Sequence, residues 1–265
     1  MVRDARELRG AWTTFQRHWY ADPAQELAPF VSGYWAAEWD LRGQEPYRQK
    51  IVPYPTVQLT FRDGEALVRG PERGHIVRVL AGRGRVFGVT FRPGCFRPFL
   101  GASVSTITGR ALPASAVFGP GCPGDISHDT GTFEELAQDA ARQLDAFLVD
   151  RRPGPDPSAE QAAAIVSRVQ AEPQIKRVDA LAERAGLGVR RLQRLFAEYV
   201  GLGPKWVIRR YRLHEVGERL AAGADIDWVR LAGELGYADQ AHFIRDFTAM
   251  VGESPTRYAE RYPRR

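Results

Sequence analysis

The stretch LAERAGLGVRRLQRLF, residues 181–196, determines how the C-terminal part of this chain is interpreted. Small and apolar residues lead into Gly186, and a second helical run follows, one face of which is almost entirely Arg and Gln. The arrangement recurs in LAGELGYADQAHFIRDF, residues 231–247. A helix–turn–helix places its second helix in the major groove of DNA, where Arg can read guanine and Gln can read adenine. The two stretches therefore predict tandem helix–turn–helix units.

The chain is mildly basic, and its basic residues concentrate in one segment. It has 265 residues, enough for two domains that each bury a core, and a formal net charge of +5. Residues 190–212 contain seven Lys and Arg residues against a single acidic residue. We expect a polyanion to bind this segment, although a solvated helix face gives the same pattern.

The number of cysteines and the distribution of apolar residues indicate where in the cell the protein is expected. Cys95 and Cys122 are too few for a disulfide scaffold in a chain of this size. The first nine residues are charged and lack the apolar core of a signal peptide. No run of apolar residues is long enough for a transmembrane helix. These features predict a soluble, cytoplasmic protein with no membrane contact.

A domain boundary is predicted at RRPGPDPS, residues 151–158, because its prolines and glycine disfavour regular structure. Ser158 and Gln161 resemble a capping box that starts the next helix. We therefore expect a β-rich effector-sensing or association domain over residues 1–152, a linker over residues 153–158 and a second domain over residues 159–265.

Before the linker, the pattern is typical of β-strands. Apolar and polar residues alternate over residues 57–61 and 87–91, and shorter β-like runs occur at residues 33–39, 66–69 and 76–80. This spacing favours a small β-barrel or sandwich over a βαβ fold.

Two helical segments accompany these strands, a short one at residues 95–101 and an amphipathic one at residues 133–149. The apolar stripe of the second helix consists of Leu136, Ala140, Leu144 and Leu148. The stripe either packs on the barrel or forms a dimer seam, and the sequence leaves both interpretations open.

After the linker, all segments are predicted to be helical. The expected helices cover residues 159–171, 178–185, 190–200, 204–222, 228–235 and 240–251. Pro204 suits the first position of a helix. A glycine follows most of these helices, where a left-handed residue is needed to end them: Gly186, Gly201, Gly223, Gly236 and Gly252. The predicted fold class is α+β, an N-terminal β-barrel domain followed by an all-α tandem helix–turn–helix domain.

An ordered array of residues in the C-terminal segment matches a known family. The array includes Leu181, Ala182, residues 192–196, Gly201, Pro204, Arg212, Leu213, Leu231, Ala232, Gly236, Tyr237, Phe243, Arg245, Phe247, Gly252 and residues 254–258. It resembles the AraC/XylS family of bacterial transcription regulators. The chain departs from the family pattern at Arg177, at Gly188, where Ser is usual, and at Trp228, where Ile or Val is common. Gly is a weaker N-cap than Ser by a few tenths of a kcal/mol.

The N-terminal half is similar, more loosely, to the sensor domains of such regulators. The similarity rests on residues 27–31, 34–35, 52–53 and 87–94. It implies a cupin-like barrel that binds an effector, but it does not identify the effector.

The family resemblance also implies which residues face DNA. The base-reading positions of the two recognition helices are Arg190, Gln193 and Arg194 in the first, and Gln240, His242 and Arg245 in the second. The expected phosphate contacts are Arg191, Lys205 and Arg209. Arg212 is expected to be structural, bridging the two subdomains, and Asp239 to cap the second recognition helix.

A pocket and a reactive thiol are the other candidate sites. Trp35, Trp39, Tyr54 and Phe61 are candidates for an effector pocket, although aromatic residues on barrel strands also form plain core. Cys95 lies at a strand-to-helix turn, where a helix N-terminus can lower the pKa of a thiol. An inert, half-buried thiol is the simpler interpretation of the same position.

Enzyme motifs are absent from the sequence: it has no HExxH, no phosphate-binding loop and no GxSxG. His75 and His128 are isolated, so no metal site, cofactor or catalytic activity is expected.

These patterns predict an effector-responsive, sequence-specific DNA-binding transcription regulator. Its expected partners are double-stranded promoter DNA, an unidentified small-molecule effector, RNA polymerase and a second copy of the chain. An effector would change how the two domains pack and thereby the population that binds DNA. The alternative is a small-molecule or thiol sensor, or an enzyme, with an appended DNA-binding module.

Overall fold

The computed structural model of the protein describes residues 15–124, 126, 130–221 and 226–260. Within these residues, the N-terminal part contains the strands β1 (Arg17–Ala21), β2 (Val31–Leu41), β3 (Tyr47–Ile51), β4 (Gln58–Arg62), β5 (Glu65–Arg69), β6 (Ile76–Leu80), β7 (Gly82–Phe91) and β8 (Ala111–Pro113). Its helices are α1 (Arg97–Leu100), α2 (Ser115–Phe118) and α3 (Phe133–Asp150).

The strands form two antiparallel sheets. One has the order β1-β2-β7-β4-β5-β8, and β3 pairs with β6 in the other. The β-rich fold predicted from the sequence is confirmed, but the sheets are open and do not close into the predicted cupin-like β-barrel. The reason is the pairing: among the described strands, β3 and β6 bond to each other and leave the edges of the larger sheet unjoined.

The two faces of the larger sheet have different roles because side chains alternate along each strand. Leu59 and Phe61 of β4 face α3 and join its core, together with Val89 of β7. The apolar stripe of α3 is buried there, with Leu144 and Leu148 fully inaccessible to solvent. Packing on the sheet, rather than a dimer seam, is therefore the interpretation that the structure supports. The opposite face of the sheet lines a cavity.

The C-terminal part is helical. Its helices are α4 (Pro157–Ala171), α5 (Val178–Arg184), α6 (Val189–Tyr199), α7 (Pro204–Ala221), α8 (Trp228–Glu234), α9 (Gln240–Val251) and α10 (Pro255–Ala259). Helix α4 begins at Pro157, and its N-cap is Asp156, whose carboxylate accepts hydrogen bonds from the main-chain N–H groups of Ser158 and Ala159. The capping box predicted from Ser158 is therefore wrong, since an Asp two residues earlier already satisfies the first N–H groups.

Both predicted helix–turn–helix units are present. Helices α5 and α6 turn at Gly186 (φ 64°), α8 and α9 turn at Gly236 (φ 83°), and α7 connects the units. At Gly236 a side chain would also collide with Lys176, whose Cδ lies 2.8 Å from the position of a Cβ atom. Each unit has its own core, centred on Leu192 and Phe196 in the first and on Phe243 and Phe247 in the second. Gly223, predicted to end α7, lies outside the described residues.

Arg212 has a structural role, as predicted, but not between the two units. It is almost completely buried, and its guanidinium donates to the main-chain oxygens of Val169 at 3.0 Å, Glu172 at 2.9 Å and Ile175 at 3.4 Å. The side chain thus fastens the end of α4 to α7 within the first unit. None of the helices in the described part of the chain is long and apolar enough to cross a membrane.

Candidate DNA interface and ligand cavity

Helix α6 presents a basic face to solvent. Arg190, Arg191, Gln193 and Arg194 are all exposed, while Leu192 and Phe196 on the other side of the helix are completely buried. Within the described residues, none of the three arginines forms an ion pair, so their guanidinium groups are available to an external anion. The N-cap Gly188 provides no side-chain hydrogen bond, as its departure from the family pattern predicts.

Helix α9 is positioned by its cap and by its aromatic core. The carboxylate of Asp239 accepts a hydrogen bond of 2.7 Å from the main-chain N–H of His242, so the predicted cap is confirmed. Phe243 and Phe247 are buried, and Gln240 and Arg245 are exposed on the opposite side. Gln240 and Arg245 are therefore accessible to DNA.

Two predicted contact residues, Arg209 and His242, lie against a carboxylate instead of standing free. Arg209 Nε lies 3.0 Å from Asp246 Oδ2, and His242 Nε2 lies 3.6 Å from the same oxygen. The imidazole also packs edge-on against Tyr237, with ring centroids 5.2 Å apart. This cluster joins α7 to α9 and so sets the angle of the second recognition helix. Asp246 was missed by the sequence analysis because only the helix packing brings it to Arg209.

Lys205, in the first turn of α7, is exposed to solvent. Its neighbour Trp206 contacts the N-terminal part of the chain, because the indole N–H donates to the main-chain oxygen of Arg73 at 2.8 Å. The exposed phosphate candidates are thus Arg191 and Lys205, whereas Arg209 is half-buried.

A cavity of about 700 Å³ lies between the two sheets and is bounded on one side by α4 and α7. Val166, Ser167 and Gln170 of α4 and Tyr211 of α7 belong to its wall. A volume of this size is ordinary for a small-molecule site. Because helices of the C-terminal part contribute to the wall, a molecule in the cavity would touch both parts of the chain.

Of the aromatic residues predicted to line a pocket, Trp35, Trp39 and Tyr54 do so. Phe61 does not line this cavity: it points to the opposite face of β4 and is packed in the core against α3. The reason is the alternation of the strand, which sends its neighbours Thr60 and Arg62 into the cavity.

Two glycines of β7 allow the tryptophans to lie flat on the sheet. Trp35 is paired with Gly88, and Trp39 with Gly84. A Cβ atom at Gly88 would lie 2.3 Å from Trp35, and one at Gly84 would lie 2.5 Å from Trp39. The Trp39 indole also donates to the main-chain oxygen of Ala81 at 3.3 Å. Trp35 thus contributes apolar surface to the cavity, whereas Trp39 is almost completely buried and its ring is covered by the guanidinium of Arg62.

The polar wall of the cavity is basic. Arg69 donates through Nε to Thr60 Oγ1 at 3.0 Å, and Arg78 lies on the neighbouring small sheet. Burial lowers the pKa of both guanidinium groups, and repulsion from Arg78 lowers the pKa of Arg69 further. Both side chains are nonetheless cations at neutral pH, since an unperturbed Arg has a pKa above 12.

Arg210 connects the cavity wall to the helix between the two units. It is completely buried in α7, and it donates to the main-chain oxygens of Val52 at 2.6 Å and Pro53 at 2.9 Å. Its guanidinium stacks on the ring of Tyr54 at 4.2 Å. The loop that contains Pro53 and Tyr54 lines the cavity. No sequence signal could have found this contact, because its acceptors are main-chain groups of a distant segment.

Further contacts join the N-terminal part to both helix–turn–helix units of the C-terminal part. Arg97 forms an ion pair of 2.7 Å with Glu198 at the end of α6, and Lys50 forms one of 3.0 Å with Glu253 beyond α9. Glu198 is the single acidic residue in the basic segment 190–212, and its carboxylate is paired with Arg97 rather than with an arginine of α6. The basic face of α6 therefore keeps its charge.

Cys95 does not fit the thiol-sensor alternative. Its side chain is 5% exposed, and burial raises the pKa of the thiol to about 11. The following helix begins only at Arg97 and has four residues, which is too short to stabilise a thiolate against that burial. The geometry therefore favours the simpler interpretation of Cys95, an inert thiol.

His75 packs against the glycine that ends α9. The ring of His75 lies against Gly252, where a Cβ atom would be 2.4 Å from it. In the described ranges, no group of three or more His, Cys, Asp or Glu side chains is close enough to hold a metal ion. His128 lies outside the described residues.

Comparison with known proteins gives two family matches. Residues 181–261 match a helix–turn–helix domain, and residues 20–113 match a domain of unknown function, DUF6597. No curated protein matches the chain by sequence.

Several solved structures resemble the chain weakly. One is ToxT from Vibrio cholerae bound to (E)-4-(8-methylnaphthalen-1-yl)but-3-enoic acid, with 10% identity, a TM-score of 0.44 and coverage of 94% of this chain and 98% of that chain. Another is the xylose-binding transcription activator xylR, with 16% identity, a TM-score of 0.31 and coverage of 47% of this chain and 39% of that chain. At such values the likeness carries no argument about ligands.

The assignment rests on the domain match and on the geometry of the helices. The matched region contains both helix–turn–helix units, and each recognition helix turns polar side chains to solvent while its aromatic residues form the core. The ordered array of residues quoted from the sequence occupies these same helices. Residues 181–261 therefore form a helix–turn–helix domain of the AraC type, and the chain is a DNA-binding transcription regulator.

Proposed function

We propose that this regulator reads a specific promoter sequence with α6 and α9, and that a small molecule in the cavity controls this binding. The observation that carries the proposal is the exposed, unpaired basic face of α6, with Arg190, Gln193 and Arg194 on one side of the helix. Arg and Gln can each make two hydrogen bonds to one purine, and such a contact discriminates by roughly 1–3 kcal/mol.

The two recognition helices have different roles in this proposal. Helix α6 supplies most of the base reading, and Gln240 and Arg245 of α9 supply the rest. His242 contributes less than the sequence implies, because it is held between Tyr237 and Asp246. Arg191 and Lys205 bind phosphates and so add affinity without sequence preference.

The residues that line the cavity support the proposed control by a small molecule. Val166 and Tyr211 line it from the DNA-binding part, and the loop at Pro53 is bonded to Arg210 of α7. Since α7 connects the two recognition helices, a molecule that moves this loop changes the geometry offered to DNA. Ligand and DNA affinities are then coupled, and the coupling is reciprocal.

The remaining proposals rest on the family resemblance. RNA polymerase and a second copy of the chain are proposed as partners, and the cytoplasm as the place of action. No enzymatic activity is proposed. Sedimentation of the full chain with and without DNA tests the second copy: a monomer in both conditions would contradict it.

The experiment starts with selection of bound duplexes from a random pool by the full chain. We expect an enriched motif, and we then expect Gln193→Ala to lose discrimination at one base pair by roughly 1–3 kcal/mol. The matched variant Lys205→Ala should weaken binding to all duplexes alike and reduce the slope of log affinity against log salt by about 0.9. Absence of enrichment, or an equal loss on every duplex for both variants, would contradict the assigned roles.

A further inference from the structure

The cavity wall has several hydrogen-bond donors that no group in the described part of the chain satisfies. The indole Nε1 of Trp35 and the amide nitrogens of Gln16 and Gln49 are buried without a partner, and all three residues line the cavity. Gln16 is 7% exposed and Gln49 is 5% exposed. Buried donors in native proteins are nearly always paired, so three in one wall indicate acceptor atoms on an occupant.

The charge of the wall points in the same direction. Four arginines line the cavity against two carboxylates, with the lining set Arg62, Arg69, Arg78, Arg92, Asp22 and Glu72. Arg62 is already paired with Asp63, and Arg92 donates to the main-chain oxygen of Ala28. In the described part of the chain, Arg69 and Arg78 form no ion pair. Glu72 stabilises both guanidinium groups and Glu65 stabilises that of Arg69, but the four arginines of the lining outnumber its two carboxylates, and this excess of positive charge favours an anionic occupant.

The apolar and the basic parts of the wall come from different strands, since the tryptophans belong to β2 whereas Arg69 belongs to β5 and Arg78 to β6. Trp35 lies over Gly88 of the larger sheet and provides an apolar surface, whereas the guanidinium of Arg62 covers the ring of Trp39, 5.0 Å from its centroid. Arg78 belongs to β6 and Gln49 to β3, so both reach the cavity from the small sheet. A ligand that satisfies both parts of the wall has an apolar, flat body and a polar head.

We propose that the cavity binds an amphipathic organic anion, whose negatively charged head contacts Arg69 and Arg78 and whose apolar body rests on Trp35. The inference rests on the proposed function of the cavity and names the ligand class for it. A head group with several acceptor oxygens, such as a carboxylate or a sulfonate, accepts from two guanidiniums and from neighbouring amides at once. A neutral sugar offers no charge to this wall.

Two fluorescent probes with one aromatic skeleton test the charge requirement. 8-Anilinonaphthalene-1-sulfonate is an anion, and N-phenyl-1-naphthylamine is its neutral counterpart without the sulfonate. Titrated into the full chain without DNA, the anion should bind saturably at one site and at least about tenfold more tightly than the neutral amine. Equal affinities of the two probes would overturn the proposal.

Variants assign the preference to the cavity. Arg69→Gln and Arg78→Gln should each weaken binding of the anion by about tenfold or more and leave the neutral amine within about twofold. Arg48→Gln removes the same charge from an exposed position of β3 outside the cavity, and it should change neither affinity. An equal loss in Arg48→Gln would mean unspecific surface attraction and would overturn the proposal.

Retained binding of the neutral amine shows that a variant is folded. If Arg69→Gln loses both probes, Arg78→Gln decides the question. Binding of a selected DNA duplex is measured separately and without probe. If the wild-type chain binds the anionic probe but prefers no DNA sequence, the proposed function is refuted. If it binds the selected duplex specifically but does not prefer the anionic probe over the neutral one, only the proposed ligand class is refuted.

Discussion

The Nη2 atom of Arg210 lies 2.6 Å from the main-chain oxygen of Val52, although the two residues are 158 positions apart in the chain. The side chain of Arg210 is completely buried, and its Nε donates to the next main-chain oxygen, that of Pro53. Hydrogen bonds to a charged donor are among the stronger contacts in a protein. The junction between the cavity and the DNA-binding part is therefore a specific, charge-assisted contact.

Replacement of Arg210 tests this junction. Arg210→Met leaves two buried carbonyl groups unsatisfied, which costs roughly 1–3 kcal/mol each. We expect lower stability to denaturant and faster tryptic cleavage after Arg151, in the segment between α3 and α4. Arg212→Met is the matched control, because Arg212 binds carbonyl groups only within the first helix–turn–helix unit among the described residues. Equal acceleration of cleavage in both variants would contradict a role specific to the junction.

The Arg209–Asp246 ion pair makes a prediction about salt dependence. Because Arg209 is held by Asp246 at 3.0 Å, we expect Arg209→Ala to weaken DNA binding by misplacing α9 and to leave the salt slope unchanged. Lys205→Ala, in which an exposed lysine is lost, should reduce the slope by about 0.9. Affinity measured over a range of salt concentrations separates the two cases. A slope reduced equally by Arg209→Ala would restore Arg209 as a direct phosphate contact.

The buried thiol of Cys95 predicts slow alkylation. With a pKa of about 11, Cys95 is almost entirely protonated at pH 8. Its thiolate forms only as the pH rises toward 11, whereas a free cysteine with a pKa near 8.5 is already partly ionised. In a Cys122→Ser background, we expect native Cys95 to react with iodoacetamide at least about a hundredfold more slowly than the same chain in denaturant. A native rate close to the denatured rate would revive the thiol-sensor alternative.

Gly88 is predicted to control the space available to a ligand. A Cβ atom there lies 2.3 Å from the indole of Trp35, so Gly88→Val forces that ring away from the sheet into the cavity. We expect a destabilisation of about 1–3 kcal/mol by overpacking and a loss of saturable probe binding, with DNA binding retained. Gly124→Val is the control, since no atom lies within 4 Å of the corresponding position. Unchanged probe binding in Gly88→Val would show that the probe binds elsewhere.

The helices of the DNA-binding part could be predicted closely from the sequence because their signals are local. Gly186 and Gly236 end helices, Pro204 begins one, and Asp239 caps another. Asp156 was overlooked because a capping box two residues later gives the same signal, and the N-cap Asp227 and the short helix α10 with its N-cap Ser254 were also missed. The predicted bounds of α9 agree with the structure, Gln240–Val251.

The sheet and the junction could not be predicted equally well. The strands β1 and β3 were missed, because RHWYA and YRQKI are too polar to show alternation. The position of Trp35 over Gly88 depends on the register between β2 and β7, which neither strand encodes alone. Phe61 was wrongly assigned to the pocket because the sequence shows that β4 is a strand but not which face of the strand packs on α3 and which lines the cavity. Arg210 and Asp246 gain their roles from tertiary packing.

Tandem recognition by α6 and α9 is the central claim, and hydroxyl-radical footprinting of the full chain on a selected duplex tests it most directly. We predict two protected segments whose centres are about one helical turn, 10–10.5 base pairs, apart. The double variant Gln240→Ala with Arg245→Ala should lose protection of one segment and keep the other. A single protected segment in the wild-type footprint, or loss of both segments in this variant, would contradict the claim.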